Sequence, residues 1–150
     1  MNGKTGKAPA EIALEWAHAC ARGDLTTAAA MIAPDAKRYG GLNWSPVARD
    51  FYLERWAIYL DAFTPYDLHI VNHLSNGRTV ALEMIESATF ARPYRLPDGR
   101  SLPPNFQSYV DHVCTVVAID DDGLISEIRA YIPSNLEILI ASAVKAMPPA

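Results

Sequence analysis

The chain has 150 residues, half of them hydrophobic and 20% charged, a balance that suits one globular domain able to bury a core without staples. Its formal charge of −4, with no basic cluster denser than Lys37-Arg38, argues against a nucleic-acid surface, since phosphate binding needs clustered Lys and Arg. No apolar run reaches the ~18 residues of a membrane span and no apolar segment follows the charged N-terminus, so no membrane partner is expected and the cytoplasm is the expected compartment.

Residues 1–8 read as a loose tail ahead of a single domain over 9–150. The Gly-Lys-Thr in that tail lacks the strand and longer glycine-framed loop of a phosphate-binding motif. A first helix opens at Pro9 or Ala10. Ile12, Trp16, Ala19 and Cys20 recur at helical spacing, and Gly23 stands in the stop position after Arg22. Asp24 is the expected N-cap of a second helix carrying Leu25, Ala28, Ala29 and Ile32, stopped by Pro34-Asp35. A short extended piece, Ala36–Tyr39, leads into the Gly40-Gly41 turn. Ser45-Pro46 predicts the start of a third helix running from Pro46 to Phe63. Its apolar stripe holds Tyr52, Leu53, Trp56, Tyr59, Leu60 and Phe63, opposite Asp50, Glu54 and Asp61.

Beyond Thr64-Pro65 the period falls to two. Strands are predicted at about 66–74, 79–91, 107–119 and 124–132. Asn76-Gly77 and Asp122-Gly123 are hairpin turns by composition, and a proline-rich excursion spans Leu96–Pro104. Ser134-Asn135-Leu136-Glu137 has the form of a capping box opening a final helix toward residue 146. The prediction is an α+β domain: a curled antiparallel sheet over three N-terminal helices, with a C-terminal helix, enclosing an apolar pocket.

Within the strand 80–90, Glu86 is the one ionisable group on the face that carries Leu82, Met84, Ala88 and Phe90. A carboxyl held there is partly desolvated, which raises its pKa toward the range useful for proton transfer. The competing reading is a bridge to Arg129 or Arg92, or a strand end open to water. In the strand 107–119, Tyr109 and Asp111 share a face with Thr115. They form an acid–phenol pair of the kind that polarises a carbonyl or epoxide oxygen. Both faces of that strand mix polar and apolar residues, so either can be the inner one. Tyr39 is placed to aim its hydroxyl at the pocket mouth. Trp16, Trp56, Tyr59, Leu82, Met84, Tyr109, Thr115 and Ile128 are the expected pocket lining.

The remaining groups are less suggestive. His69 and His73 share a strand face but stand roughly 13 Å apart at strand rise, and His18 is alone, so no metal is expected. Cys20 and Cys114 read as buried free thiols. Asp120-Asp121-Asp122-Gly123 lacks the spaced ligands of a calcium loop and reads as a solvated turn.

Ala21-Arg22-Gly23-Asp24-Leu25, Ile32-Ala33-Pro34-Asp35-Ala36, and Asp122-Gly123-Leu124-Ile125 before Arg129-Ala130-Tyr131 resemble the SnoaL-like branch of the nuclear transport factor 2-like superfamily. The resemblance covers about residues 10–135 and implies a cone-shaped fold. That scaffold hosts ketosteroid isomerases, limonene epoxide hydrolases, polyketide cyclases, dehydratases and non-catalytic binding modules, many of them dimers. Against limonene epoxide hydrolase, Glu86 falls where the epoxide-protonating aspartate stands and Tyr39 near the water-positioning tyrosine. Met84 replaces that family's arginine, and Ala130 its water-activating aspartate. Against ketosteroid isomerase, Trp16 replaces the oxyanion tyrosine and Gly40 stands near the catalytic base. Either Asp111 or Thr115 takes the place of the oxyanion acid. The resemblance implies a cofactor-independent acid–base enzyme on a hydrophobic small molecule, with Glu86, Asp111 and Tyr39 at its centre, and a homodimer. The alternative is a binding or dimerisation module of the same fold.

Overall fold

The computed structural model describes residues 6–41, 44–133 and 135–149. The first five residues of the expected tail, and Ser134 with the other capping-box side chains, lie outside that description. Helix α1 spans Pro9–Ala21, with proline in its first turn and Gly23 just past its end at φ 76°, a backbone angle that favours glycine. Helix α2, Leu25–Ala30, is capped by Asp24, whose Oδ1 accepts from the Thr27 N–H at 3.2 Å.

The expected extension of α2 through Ile32 does not form. Ile32 instead opens strand β1, Ile32–Tyr39, which is longer than the predicted piece at 36–39. It runs parallel to strand β8, Ile125–Tyr131. Pairing supplies the backbone partner that a helix would have used: Ile125 N–H donates to Met31 O at 2.9 Å. Ser45-Pro46 likewise does not start the third helix. Val47–Ala48 form a short strand β2 against Lys37 and Arg38, and α3 runs from Arg49 to Ala62. In both places long-range strand pairing overrides a local helix signal.

Strands β3 (Asp67–Asn76), β4 (Thr79–Thr89) and β7 (Ser108–Ile119) complete a six-stranded sheet in the order β2-β1-β8-β7-β4-β3. The sheet is mixed, where a wholly antiparallel one was expected, because β1 joins β8 in parallel after a long crossover. The proline-rich excursion folds into a ribbon of β5 (Tyr94–Arg95) and β6 (Ser101–Leu102), which its composition did not reveal. Helix α4 spans Asn135–Ala146.

The core has two parts. The larger packs Ile12, Trp16 and Cys20 of α1 against Val80, Leu82, Val117 and Ile125 of the sheet's inner face, each large apolar side chain contributing about 1.5–3 kcal/mol. The smaller gathers Phe63, Ala88, Phe90 and Leu102, with Ile140 and Ala143 of α4 and Met147 just after it against them. Between the two lies the site.

Candidate functional site

Alternation along β4 turns Val80, Leu82, Met84 and Glu86 toward the helices, and the first three are buried. Antiparallel pairing of β4 with β7 sets Glu86 directly opposite Asp111. That register decides the face of β7: Tyr109, Asp111, Val113, Thr115 and Val117 point inward, with Asp111 only 5% exposed, and His112 points outward. The two carboxyls are cross-strand neighbours, with Cβ atoms about 5 Å apart.

Glu86 opens into a small, partly open cavity of about 90 Å³. Helix α1 contributes Trp16 and Cys20 to its wall, α3 contributes Tyr52 and Trp56, and the sheet contributes Met84, Thr115 and Ile128. Trp56 Nε1–H donates to Cys20 O at 2.9 Å and ties the two helices across the roof. Two further polar groups were not singled out from the sequence. Tyr66, just before β3, donates its hydroxyl to Glu86 Oε2 at 2.6 Å. Arg38 of β1 brings a guanidinium to the same cavity, with Cζ 5.3 Å from the centroid of the Tyr52 ring.

Burial is the main force on Glu86 and pushes its pKa above the ordinary carboxylate range. The Tyr66 hydrogen bond opposes that shift, the Asp111 charge adds to it, and Arg38 opposes it more weakly. Asp111 is raised by burial, partly offset by His112. Tyr66 is raised by burial and by the Glu86 charge. Burial pushes the Cys20 thiol up to about 12, which leaves it without nucleophilic thiolate near neutrality. Neither arginine named as a rival partner reaches Glu86: Arg129 pairs with Glu127 and Arg92 with Asp61.

Two predictions follow from this wiring. Tyr66→Phe deletes the bond that favours the ionised carboxylate, so Glu86 should titrate at higher pH still, read by carbon-detected NMR of the side-chain carboxyl. Asp111→Asn removes a neighbouring negative charge and should move the same midpoint downward. A midpoint that is unmoved in both variants contradicts this account.

Six of the residues predicted for the site meet at the cavity: Trp16, Trp56, Met84, Glu86, Thr115 and Ile128. Leu82 is fully buried in the core. Tyr59 stands behind the wall, stacked on Trp56 at 5.1 Å. Tyr109 lines a second, larger cavity of about 360 Å³ beneath α4, with Phe63, Phe90 and Met147, and its buried hydroxyl has no partner. Asp111 Oδ2 is also buried and, like the Tyr109 hydroxyl, has no partner among the described residues.

Tyr39 requires a correction. Because Arg38 faces inward, alternation turns Tyr39 to the outer face of the sheet, where its ring lies 6.1 Å from that of Trp44. Trp44 continues to Tyr131 at 5.0 Å, on the rim of a broad outer groove that also contains His112 and Cys114. Its hydroxyl is therefore not aimed at the pocket mouth.

Among the described residues, no three His, Cys, Asp or Glu side chains are grouped to hold a metal, and no helix is long and apolar enough to cross a membrane. Asp120 is a turn residue whose Oδ1 accepts from the N–H groups of Asp122 and Leu124.

No family model and no curated protein matches the sequence. Solved structures do match the fold. AclR from Streptomyces galilaeus, a candidate hydroxylase, is 21% identical with TM-score 0.70, over 93% of this chain and 97% of its own. IdmH from Streptomyces antibioticus, a candidate polyketide cyclase, is 18% identical with TM-score 0.69, over 93% and 99%. SalBIII, an epoxide hydrolase/cyclase-like enzyme of pyran ring formation in the polyether salinomycin, is 16% identical with TM-score 0.67, over 83% and 90%. Helices packed over a sheet, with a cavity between them, are thus a fold that this chain shares with these solved structures and with a SnoaL-like polyketide cyclase candidate from Jannaschia, 16% identical with TM-score 0.71 over 93% of each chain.

Proposed function

We propose that the protein is an acid–base enzyme acting on an apolar small molecule, of the cyclase, epoxide-hydrolase or isomerase kind, with Glu86 as the group that moves the proton. The observation that carries this reading is a single carboxyl lining a mostly apolar cavity, raised in pKa by burial and bonded at 2.6 Å by a phenol. Protonated, Glu86 donates to an epoxide or carbonyl oxygen of the ligand. Ionised, it takes a proton from carbon next to a carbonyl. In either direction the Tyr66 hydroxyl holds the carboxylate form, and Asp111 keeps the proton affinity high. Such transfers need no cofactor, because a dry pocket strengthens each electrostatic contact.

Two single-ring probes test this. Cyclohexenone reports carbon deprotonation through deuterium uptake in heavy water, and cyclohexene oxide reports ring opening to the diol. At least one reaction should run faster than in buffer and lose that gain with Glu86→Gln. No acceleration of either, or equal rates in the variant, removes the proposal.

The rival reading, a binding module, draws on the absence of a second cavity carboxyl beside Glu86 among the described residues. A binder would keep its affinity in Glu86→Gln. The partner proposed for the outer sheet face is a second copy of the chain. That face exposes Val71, Val110 and Tyr131, apolar side chains that a second copy could cover. Sedimentation should give a dimer mass, and Val110→Glu a monomer; a monomeric parent protein would exclude it.

A further inference from the structure

Among the described residues, Arg38 is the one basic side chain on the cavity wall. Among the described residues it forms no ion pair, and its buried Nε has no hydrogen-bond partner. A half-buried cation with no counter-ion is costly. The fold nevertheless holds it in place. One face rests against the Tyr52 ring, and the other lies so near Gly40 that a Cβ there would meet Nη1 at 2.9 Å. Trp16, on the same wall, has a buried Nε1–H that likewise lacks an acceptor.

The nearest carboxyls do not balance this charge. Glu86 accepts its hydrogen bond from the Tyr66 hydroxyl and is driven by burial toward its neutral form. Asp111 is raised in the same direction. A cavity with a fixed positive charge, unmet N–H donors and apolar walls calls for an acceptor that brings negative charge with it.

We propose that Arg38 forms an anion subsite, so that the ligand is an apolar molecule bearing an ionised oxygen, either a carboxylate or an enolate-type oxygen. This rests on reading the cavity as the active site and names its substrate class. The guanidinium would hold that oxygen through its N–H groups while Glu86 handles the proton at a neighbouring atom. An enolate formed by carbon deprotonation places its charge on oxygen, where Arg38 stabilises it. The proton goes to Glu86, and the electron pair of the broken C–H bond moves into the new C=C bond, so the step balances without a further reactant.

The test uses the full chain at neutral pH and pairs of probes alike in shape. Benzoate and benzamide, titrated against the fluorescence of Trp16 and Trp56, report a carboxylate site. The absorbance of 4-nitrophenol reports an enolate-type site through its fraction ionised. Benzoate should bind about tenfold or more tightly than benzamide, a gap of ~1.4 kcal/mol, or the bound nitrophenol should ionise at lower pH. Preference for benzoate alone assigns a carboxylate ligand, and ionisation alone assigns an enolate-type oxygen. Arg38→Met should abolish whichever signal is seen and leave benzamide binding within twofold. Arg38→Lys should retain part of it and guards against misfolding of the first variant. Equal binding of the benzoate pair with no shift in nitrophenol ionisation overturns the proposal, as does a preference that survives Arg38→Met. Glu86→Gln keeps the anion preference even if it proves silent in the proton-transfer assays, so the two readings fail separately.

Discussion

Glu86→Gln is expected to slow turnover of whichever probe is converted by 10²- to 10⁴-fold, the usual contribution of one positioned acid–base group, while making the folded protein more stable at neutral pH. The two effects share one cause. Burial raises the folded-state pKa of Glu86 above its unfolded value, so the native state holds that proton more tightly. Stability from this source is complete below the unfolded-state pKa and is lost as pH rises through the raised folded-state value. Above the unfolded-state pKa the wild type therefore carries a penalty, because its folded state must either keep a proton that the unfolded chain releases or ionise a desolvated carboxyl. Glutamine has nearly the same shape, accepts the Tyr66 hydrogen bond and never ionises. Thermal melts of both proteins from pH 4 to 8 should diverge as pH rises, with the variant melting higher, and should converge toward pH 4. A wild type that is more stable at pH 8, or a gap that ignores pH, would mean that Glu86 is an ordinary solvated residue. Such a trade of stability for chemistry is common where a functional group is held in an unfavourable setting.

The parts of this site that were legible in the sequence rest on local alternation. Glu86 follows from strand parity alone, because Leu82, Met84 and Ala88 fix the inner face of β4. Asp111 could not be placed in that way. Eighteen residues, the β5–β6 ribbon among them, separate β4 from β7; no tight turn sets their register, and only the observed pairing of Glu86 with Asp111 decides the face. Tyr66 was hidden by a register shift between Ile70 and Asn72 in β3. Counting back from the Asn76-Gly77 turn without that shift sets His69 opposite Glu86, whereas the structure sets Leu68 there and so turns Tyr66 inward. Arg38 and Tyr39 exchange faces for a similar reason. Their orientation depends on the irregular parallel pairing of β1 with β8, a contact between distant segments that no local pattern announces. The scaffold was readable because helices and hairpins signal themselves within ten or so residues. The polar partners in the cavity were not, because each depends on long-range register.

Phe63→Ala should be the most damaging single substitution in the smaller core, costing about 3–5 kcal/mol out of a total stability on the order of 5–15 kcal/mol. Phe63 is fully buried. It stacks on Tyr59 and on Phe90, each at 4.6 Å, and presents edges to Tyr94 at 5.7 Å and Tyr109 at 6.0 Å. Removing the ring deletes four aromatic contacts at once and leaves a void that helices and sheet cannot close without moving. The melting temperature should fall by roughly 6–20 °C, and Phe63→Leu, which keeps most of the volume, by much less. The consequence extends to the site. Tyr59 also meets Tyr66 edge-on at 6.1 Å, so loosening the stack frees the residue that donates to Glu86. In Phe63→Ala the Glu86 carboxyl should titrate higher, as in Tyr66→Phe, even at temperatures where the variant remains folded. Loss of stability with an unchanged Glu86 midpoint would show that the aromatic stack supports the fold alone. A shift in both ties the second core to the hydrogen-bonded pair of Tyr66 and Glu86.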